Sequence, residues 1–276
     1  MAELDADLVP FAKFVEAVDP WLGQAVLIGG WAHRLYRLDS RARKLPYLPI
    51  TTIDGDVAVP AKLKVEESTI RDRLLKAGFM EEFVGEDRPP ATHYHYGKES
   101  GFYAEFLSPL IGSEYDRYGK RKATREVAGV SSQQLRYIEI LMVEPWKIVL
   151  GEQDGYPFAP AKKVSIANPA SFIAQKILIH HERNDRDRAK DLLYIHDTIE
   201  LFSEHLEELC KMYQSVLQRK LHPNRHSELH GAADYLFGKV TDTVREAALM
   251  ATGRRLDPGA LAETSRAGLQ EIFRKT

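Results

Sequence analysis

The chain has 276 residues, a formal net charge of −2, and 44% hydrophobic and 28% charged residues, the balance of a globular protein long enough for one large domain or two ordinary ones. Near-neutral charge excludes a whole-molecule field for nucleic acid or an anionic membrane and leaves only local patches. A single cysteine, Cys210, excludes an internal disulfide framework and any cysteine-rich zinc site.

The first residues, MAELDADLVPFAKFVEAV, are acidic and amphipathic and lack the basic start and apolar core of a secretory signal. No run approaches the length of a membrane span. The expectation is a cytoplasmic protein with no membrane partner. Leu8, Phe11, Phe14, Val15 and Val18 recur at helical spacing, and Pro20 ends that helix. QAVLI predicts a buried strand over 24–28, stopped by Gly29 and Gly30, and WAHRLYRL continues as a helix. SRARKLPYLPI is basic, carries two prolines, and reads as a loop. Residues 51–59 predict a second strand. STIRDRLLKAGF opens on Ser68 as N-cap and closes on Gly78 as the residue after the helix. THYHYG and GFYAEFL are β-like, residues 112–129 read as a long polar loop, and LRYIEILMV and WKIVL read as further strands.

From about residue 169 the pattern turns helical throughout. NPASFIAQKILIHHE, DRDRAKDLLYIHDTIELF, HLEELCKMYQSVLQRKL, AADYLFGKVTDTVREAALMA and the last turns are all amphipathic. The plan is α+β: an α/β domain over 1–165 and an all-helical domain over 166–276.

The stretch TTIDGDVAVP holds the chemistry. Alternate residues of a strand share a face, so Asp54 and Asp56 project together. Two adjacent carboxylates repel unless a cation lies between them, and Mg²⁺ takes one or two carboxylates and completes its shell with water and substrate phosphates. The competing reading of DGD is a turn, since Gly55 permits positive φ. Upstream context favours the metal. A strand, then Gly29-Gly30, then a helix offers free backbone N–H groups and close backbone approach, which suits a phosphate. Thr52 begins T-x-D-x-D about 22 residues after Gly30.

The order LIGGWAHRLY … TTIDGDVAVP resembles the polymerase-β-type nucleotidyltransferase core: an apolar residue, G-G or G-S, a D-x-D strand, and a third acidic residue on a later strand. FYAEFLSPLIG, LRYIEILM and VSIANPASFIAQKILIHHERNDRDRAKDLLYIHDTIELF are similar to segments of bacterial nucleotidyltransferases related to the abortive-infection toxin group. The resemblance covers residues 24–202. It implies a small mixed sheet with helices followed by an all-helical domain. It implies transfer of a nucleoside monophosphate from an NTP to an acceptor hydroxyl, with release of pyrophosphate. It implies Asp54, Asp56 and Glu105 as ligands of Mg²⁺ or Mn²⁺, with Gly29, Gly30, Thr52, Lys176 and Lys190 at the nucleotide. The acceptor, whether tRNA, a protein or a small molecule, stays open, as does a cognate protein partner of toxin–antitoxin type. Gly55 stands where the family has an apolar residue, so the alternative is a catalytically degenerate fold that acts as a binding partner or antitoxin component.

Other assignments stay open at this level. Glu105 competes with Glu139 for the third carboxylate, or faces water on an edge strand. Lys176 reaches phosphate or lays its stem over the core. Asp191 holds a structural partner. The stretch Arg34, Arg37, Arg41, Arg43, Lys44 and the group Lys120, Arg121, Lys122, Arg125 guide phosphates or an RNA end, or are solvated faces. His93 and His95 have metal-ligand spacing with no evident third partner, so a half-exposed strand is the plainer reading.

Overall fold

The apolar residues at helical spacing near the start form α1 (Ala2–Ala17), and Asp19–Trp21 follows as a single 3₁₀ turn with Pro20 inside it. The computed structural model describes residues 2–64, 67–97 and 101–275. By contacts, the chain divides into one unit of residues 1–32 and 51–167 and a second of residues 33–50 and 168–276. The reading by composition set the boundary at residue 165 and left residues 33–50 in the first half. Contacts assign them to the second unit.

The first unit is built on one mixed sheet. Its strands are β1 (Val26–Leu27), β2 (Asp54–Ala58), β3 (Phe79–Val84), β4 (Ala91–Tyr96), β5 (Tyr103–Pro109), β6 (Thr124–Val127), β7 (Val130–Leu135), β8 (Trp146–Leu150) and β9 (Lys162–Ile166). The order is β3-β4-β5-β2-β1-β9-β8, with β7 also against β5, and β6 against β7. Strand β5 is central. One edge pairs in parallel with β2 over Asp54↔Tyr103 to Ala58↔Leu107. The other edge is taken first by β4, antiparallel at His93↔Glu105, and then by β7, parallel from Leu107↔Gln133. Helix α2 (Gly29–Leu35) follows β1, α3 (Ile70–Lys76) precedes β3, and α4 (Ile138–Leu141) follows β7.

Aromatic side chains fill the space against α1. Phe11 stacks on Trp31 at 3.7 Å between ring centroids. Phe14 lies 6.1 to 6.4 Å from Phe79, Phe102 and Phe106. Fully burying each such ring contributes roughly 1.5–3 kcal/mol, so the sequence's phenylalanines anchor α1 to the sheet.

Three local expectations are corrected. The helix after the second strand is capped by Thr69, not Ser68, because Thr69 forms a reciprocal box with Asp72. LRYIEILM is not a strand: Tyr137 takes φ +63°, which breaks the extended run, and Ile138–Leu141 close one helical turn with Ile138, Ile140 and Leu141 buried. A short apolar run does not distinguish strand from buried helix by periodicity. The loop over 112–129 ends in β6, paired antiparallel with β7 through the Val127↔Val130 hairpin.

The described elements of residues 168–276 are helical: α5 (Pro169–Ile179), α6 (Asp185–Leu201), α7 (Leu206–Met212) with a π turn after it, α8 (Pro223–Phe237), α9 (Asp242–Leu249) and α10 (Pro258–Ile272). Asn168, Asn184, Thr241 and Asp257 each cap a following helix by accepting a backbone N–H. Residues 33–50 are held within this unit: the Arg43 N–H donates to the Leu201 carbonyl, and Arg41 binds Asp39 and Glu208. Arg43 also donates to Ser203. These two members of the basic stretch have local partners.

Candidate active site

Residues on four neighbouring strands meet on one face of the sheet. The register runs Asp56↔Glu105, Glu105↔His93 and His93↔Glu82, a single row across β2, β5, β4 and β3. The row beside it runs Asp54↔Tyr103↔His95↔Met80. Period-two alternation puts Asp54 and Asp56 on a shared face. Glu105 then arrives next to Asp56 because β5 pairs in parallel with β2, at this offset and no other.

The carboxyl groups of Asp56 and Glu105 are in hydrogen-bonding contact, and His93 Nε2 lies 3.2 Å from Glu105 Oε2. Burial pushes the Glu105 carboxyl up. Its hydrogen bonds to His93 and Asp56 outweigh that and leave it below the ordinary glutamate range. The Tyr103 hydroxyl is pushed upward by burial and then by the charges of Asp54, Glu105 and Asp56, so all three carboxylates act on one ring. Two touching carboxyls need a shared proton or a cation between them. The set is three oxygen-donor side chains on adjacent strands, the donor type that a hard divalent ion takes, with Asp56 and Glu105 in contact and Asp54 beside them on the same face.

The glycine pair belongs to the same place. The Ile28 N–H donates to the Asp56 carbonyl at 3.0 Å, extending the β1–β2 pairing to the turn. Gly29 takes φ +60°, and a Cβ there would stand 2.0 Å from Asp56 Oδ2. A Cβ on Gly30 would stand 2.5 Å from the Thr52 hydroxyl. Neither position accepts a side chain, so the bare backbone comes directly against the carboxylate strand. Thr52 is buried and its hydroxyl donates to Asp54 Oδ1. It therefore orients a carboxylate.

Gly55 has a physical reason that the sequence hid. A Cβ there would come within 2.9 Å of Phe102 Cζ. Phe102 is buried and packs edge-on to Trp31. Its ring fills the place that an apolar residue between the aspartates would take.

Glu139 sits on α4 with its carboxyl raised by burial, outside the row that joins Asp56 to Glu105. Lys176 and Lys190 belong to the second unit. Lys176 is buried on α5, and its Nζ is 2.7 Å from Asp191 Oδ1 on α6. Arg183 Nε adds a contact to Asp191 Oδ2 at 3.3 Å. Lys190 lies 5.6 Å from the centre of the Tyr194 ring.

Two further residues of the row come together only through strand pairing. His93 was visible as half of H-x-H, but its bond to Glu105 depends on β4–β5 register. Glu82, the missing third partner of the two histidines, comes from β3 across the β3–β4 hairpin.

A sequence model of a family described as nucleotidyltransferase matches residues 7–218. Among solved structures, an antigenic nucleotidyltransferase-like protein from Paracoccidioides brasiliensis is similar at 16% identity. That likeness covers 71% of this chain and 76% of that one, with a TM-score of 0.36. No curated protein matches the chain.

Proposed function

The chain belongs to the nucleotidyltransferase family, and from that premise we propose a metal-dependent enzyme of polymerase-β type that transfers a nucleoside monophosphate from an NTP to an acceptor hydroxyl. The observation that carries the reading is the Asp56–Glu105 register with Asp54 on the same face. Asp54, Asp56 and Glu105 would hold Mg²⁺ or Mn²⁺, which when bound neutralises phosphate charge and orients the triphosphate.

The chain's own residues do the rest. Thr52 fixes the rotamer of Asp54. Gly29 and Gly30 let the backbone at the start of α2 come directly against Asp56 and Thr52, the close approach that a phosphate shared by that backbone and the metal would require. His93 holds the Glu105 carboxyl in place. Glu105 takes the proton of the acceptor hydroxyl as its oxygen bonds to the α-phosphorus. The bond from the α-phosphorus to the bridging oxygen breaks, and pyrophosphate carries away that electron pair. Lys190 is a phosphate-binding candidate by the family resemblance alone, whereas Lys176 is bound to Asp191 and ties α5 to α6.

The degenerate-fold alternative drew on Gly55 as a loss of packing. Phe102 supplies that packing, so nothing in the strand favours inactivity. The test is transfer of label from an α-labelled NTP, together with calorimetric titration of NTP and Mg²⁺. Asp54→Asn/Asp56→Asn is expected to lower transfer by at least about a hundredfold, the loss of several kcal/mol of charge stabilisation. Equal NTP–Mg²⁺ affinity and equal transfer in wild type and variant refute the proposal.

A further inference from the structure

The same sheet face continues past Glu105 to a group with different chemistry. Glu82, His93 and His95 each offer a ligand atom, and these atoms all lie within 4.8 Å of one another. We propose that they form a second cation site, for a first-row transition dication of the Zn²⁺ type, separate from the all-carboxylate site of Asp54 and Asp56.

The placement follows from strand geometry. His93 and His95 are two apart on β4 and share a face. Glu82 stands opposite His93 in the β3–β4 ladder. The ligands therefore come from one hairpin, whose register fixes them without help from a loop. Two imidazoles and one carboxylate suit Zn²⁺, which takes nitrogen donors readily and in open sites keeps three protein ligands. Mg²⁺ disfavours such a set.

Two further observations point the same way. His95 Nε2 lies 2.6 Å from Glu82 Oε2, yet among the described residues this shielded nitrogen makes no aligned hydrogen bond. The two atoms are close but do not aim at each other, the relation of ligands whose lone pairs share a third point. His93 also contacts Glu105. A carboxylate on one ring nitrogen while the other faces a metal is the usual support of a ligating histidine. A bound ion would thus hold the His93 ring against Glu105.

A comparable trio in the second unit lacks these features. His196, Asp197 and Glu200 also cluster. There Arg254 binds both acids and Tyr47 binds Glu200, so the negative charge is already neutralised by protein groups.

The proposal stands whether or not the chain transfers nucleotides. It is tested on the full chain by calorimetric titration with Zn²⁺ in excess Mg²⁺, which fills the carboxylate site. Wild type is expected to take up one equivalent of Zn²⁺. His95→Ala and Glu82→Gln should each weaken that binding by at least about tenfold. Asp54→Asn/Asp56→Asn should retain it. Both altered ligands are partly exposed, at 33% and 61% of their side chains, so these variants leave the core intact. Co²⁺ in place of Zn²⁺ should give visible absorption bands that His95→Ala abolishes. The proposal is overturned if wild type takes up no Zn²⁺, if His95→Ala binds it as wild type does, or if only the Asp54/Asp56 variant loses it.

Discussion

His33 gives the sharpest quantitative consequence of the fold. It is wholly buried among Tyr36, Phe172 and Tyr194, with ring centroids 4.9 to 6.2 Å away. Neither ring nitrogen has a hydrogen-bond partner among the described residues. Burial, followed by the nearby charges of Arg37, Lys176 and Arg254, pulls its pKa down from 6.5 to about 3. The unfolded chain binds this proton near 6.5 and the native state only near 3, so the unfolded state holds more protons throughout that window. Stability therefore rises with pH across it and falls as the medium is acidified.

Between about pH 7 and about pH 5 the expected loss from this one group is about 2 kcal/mol, at about 1.4 kcal/mol per pH unit below the unfolded pKa. The assay is denaturant unfolding at both pH values, for wild type and for His33→Leu. An apolar replacement removes no hydrogen bond, so stability near neutrality should hold or rise slightly. The acid-induced loss should shrink by about 2 kcal/mol in the variant. If both proteins lose the same stability between the two conditions, the burial argument for His33 is wrong.

Two other substitutions test the packing. Gly55→Val should destabilise the first unit by about 1–3 kcal/mol through overlap with Phe102, and adding Phe102→Leu should restore part of the loss in thermal unfolding. Lys176→Met should lower stability by about 3–5 kcal/mol, because it leaves the buried Asp191 carboxylate with Arg183 alone.

The amino-acid sequence by itself determined most of the helices and which residue types carry charge to a strand, but not that Ile138–Leu141 turn helical or that Thr124–Val127 pair as a strand. Period-two spacing put Asp54 and Asp56 on one face. Paired glycines marked the start of α2, and the turn to helical periodicity from about residue 169 marked the helices of the second unit. These are local properties, fixed by backbone geometry within a few residues. What they could not give was the neighbour across the sheet. Register decided that Glu105, not Glu139, meets Asp56, that Glu82 completes the pair of histidines, and that His93 touches Glu105. Gly55 looked like a defect from its own strand and became a requirement once Phe102 was seen to fill its space. Spacing left Lys176 open between phosphate and core, and α6 brings Asp191 to within 2.7 Å of it. Tertiary structure settled these because hydrogen-bonded strand pairing and side-chain packing join residues distant in the chain, and neither leaves a mark on spacing along it.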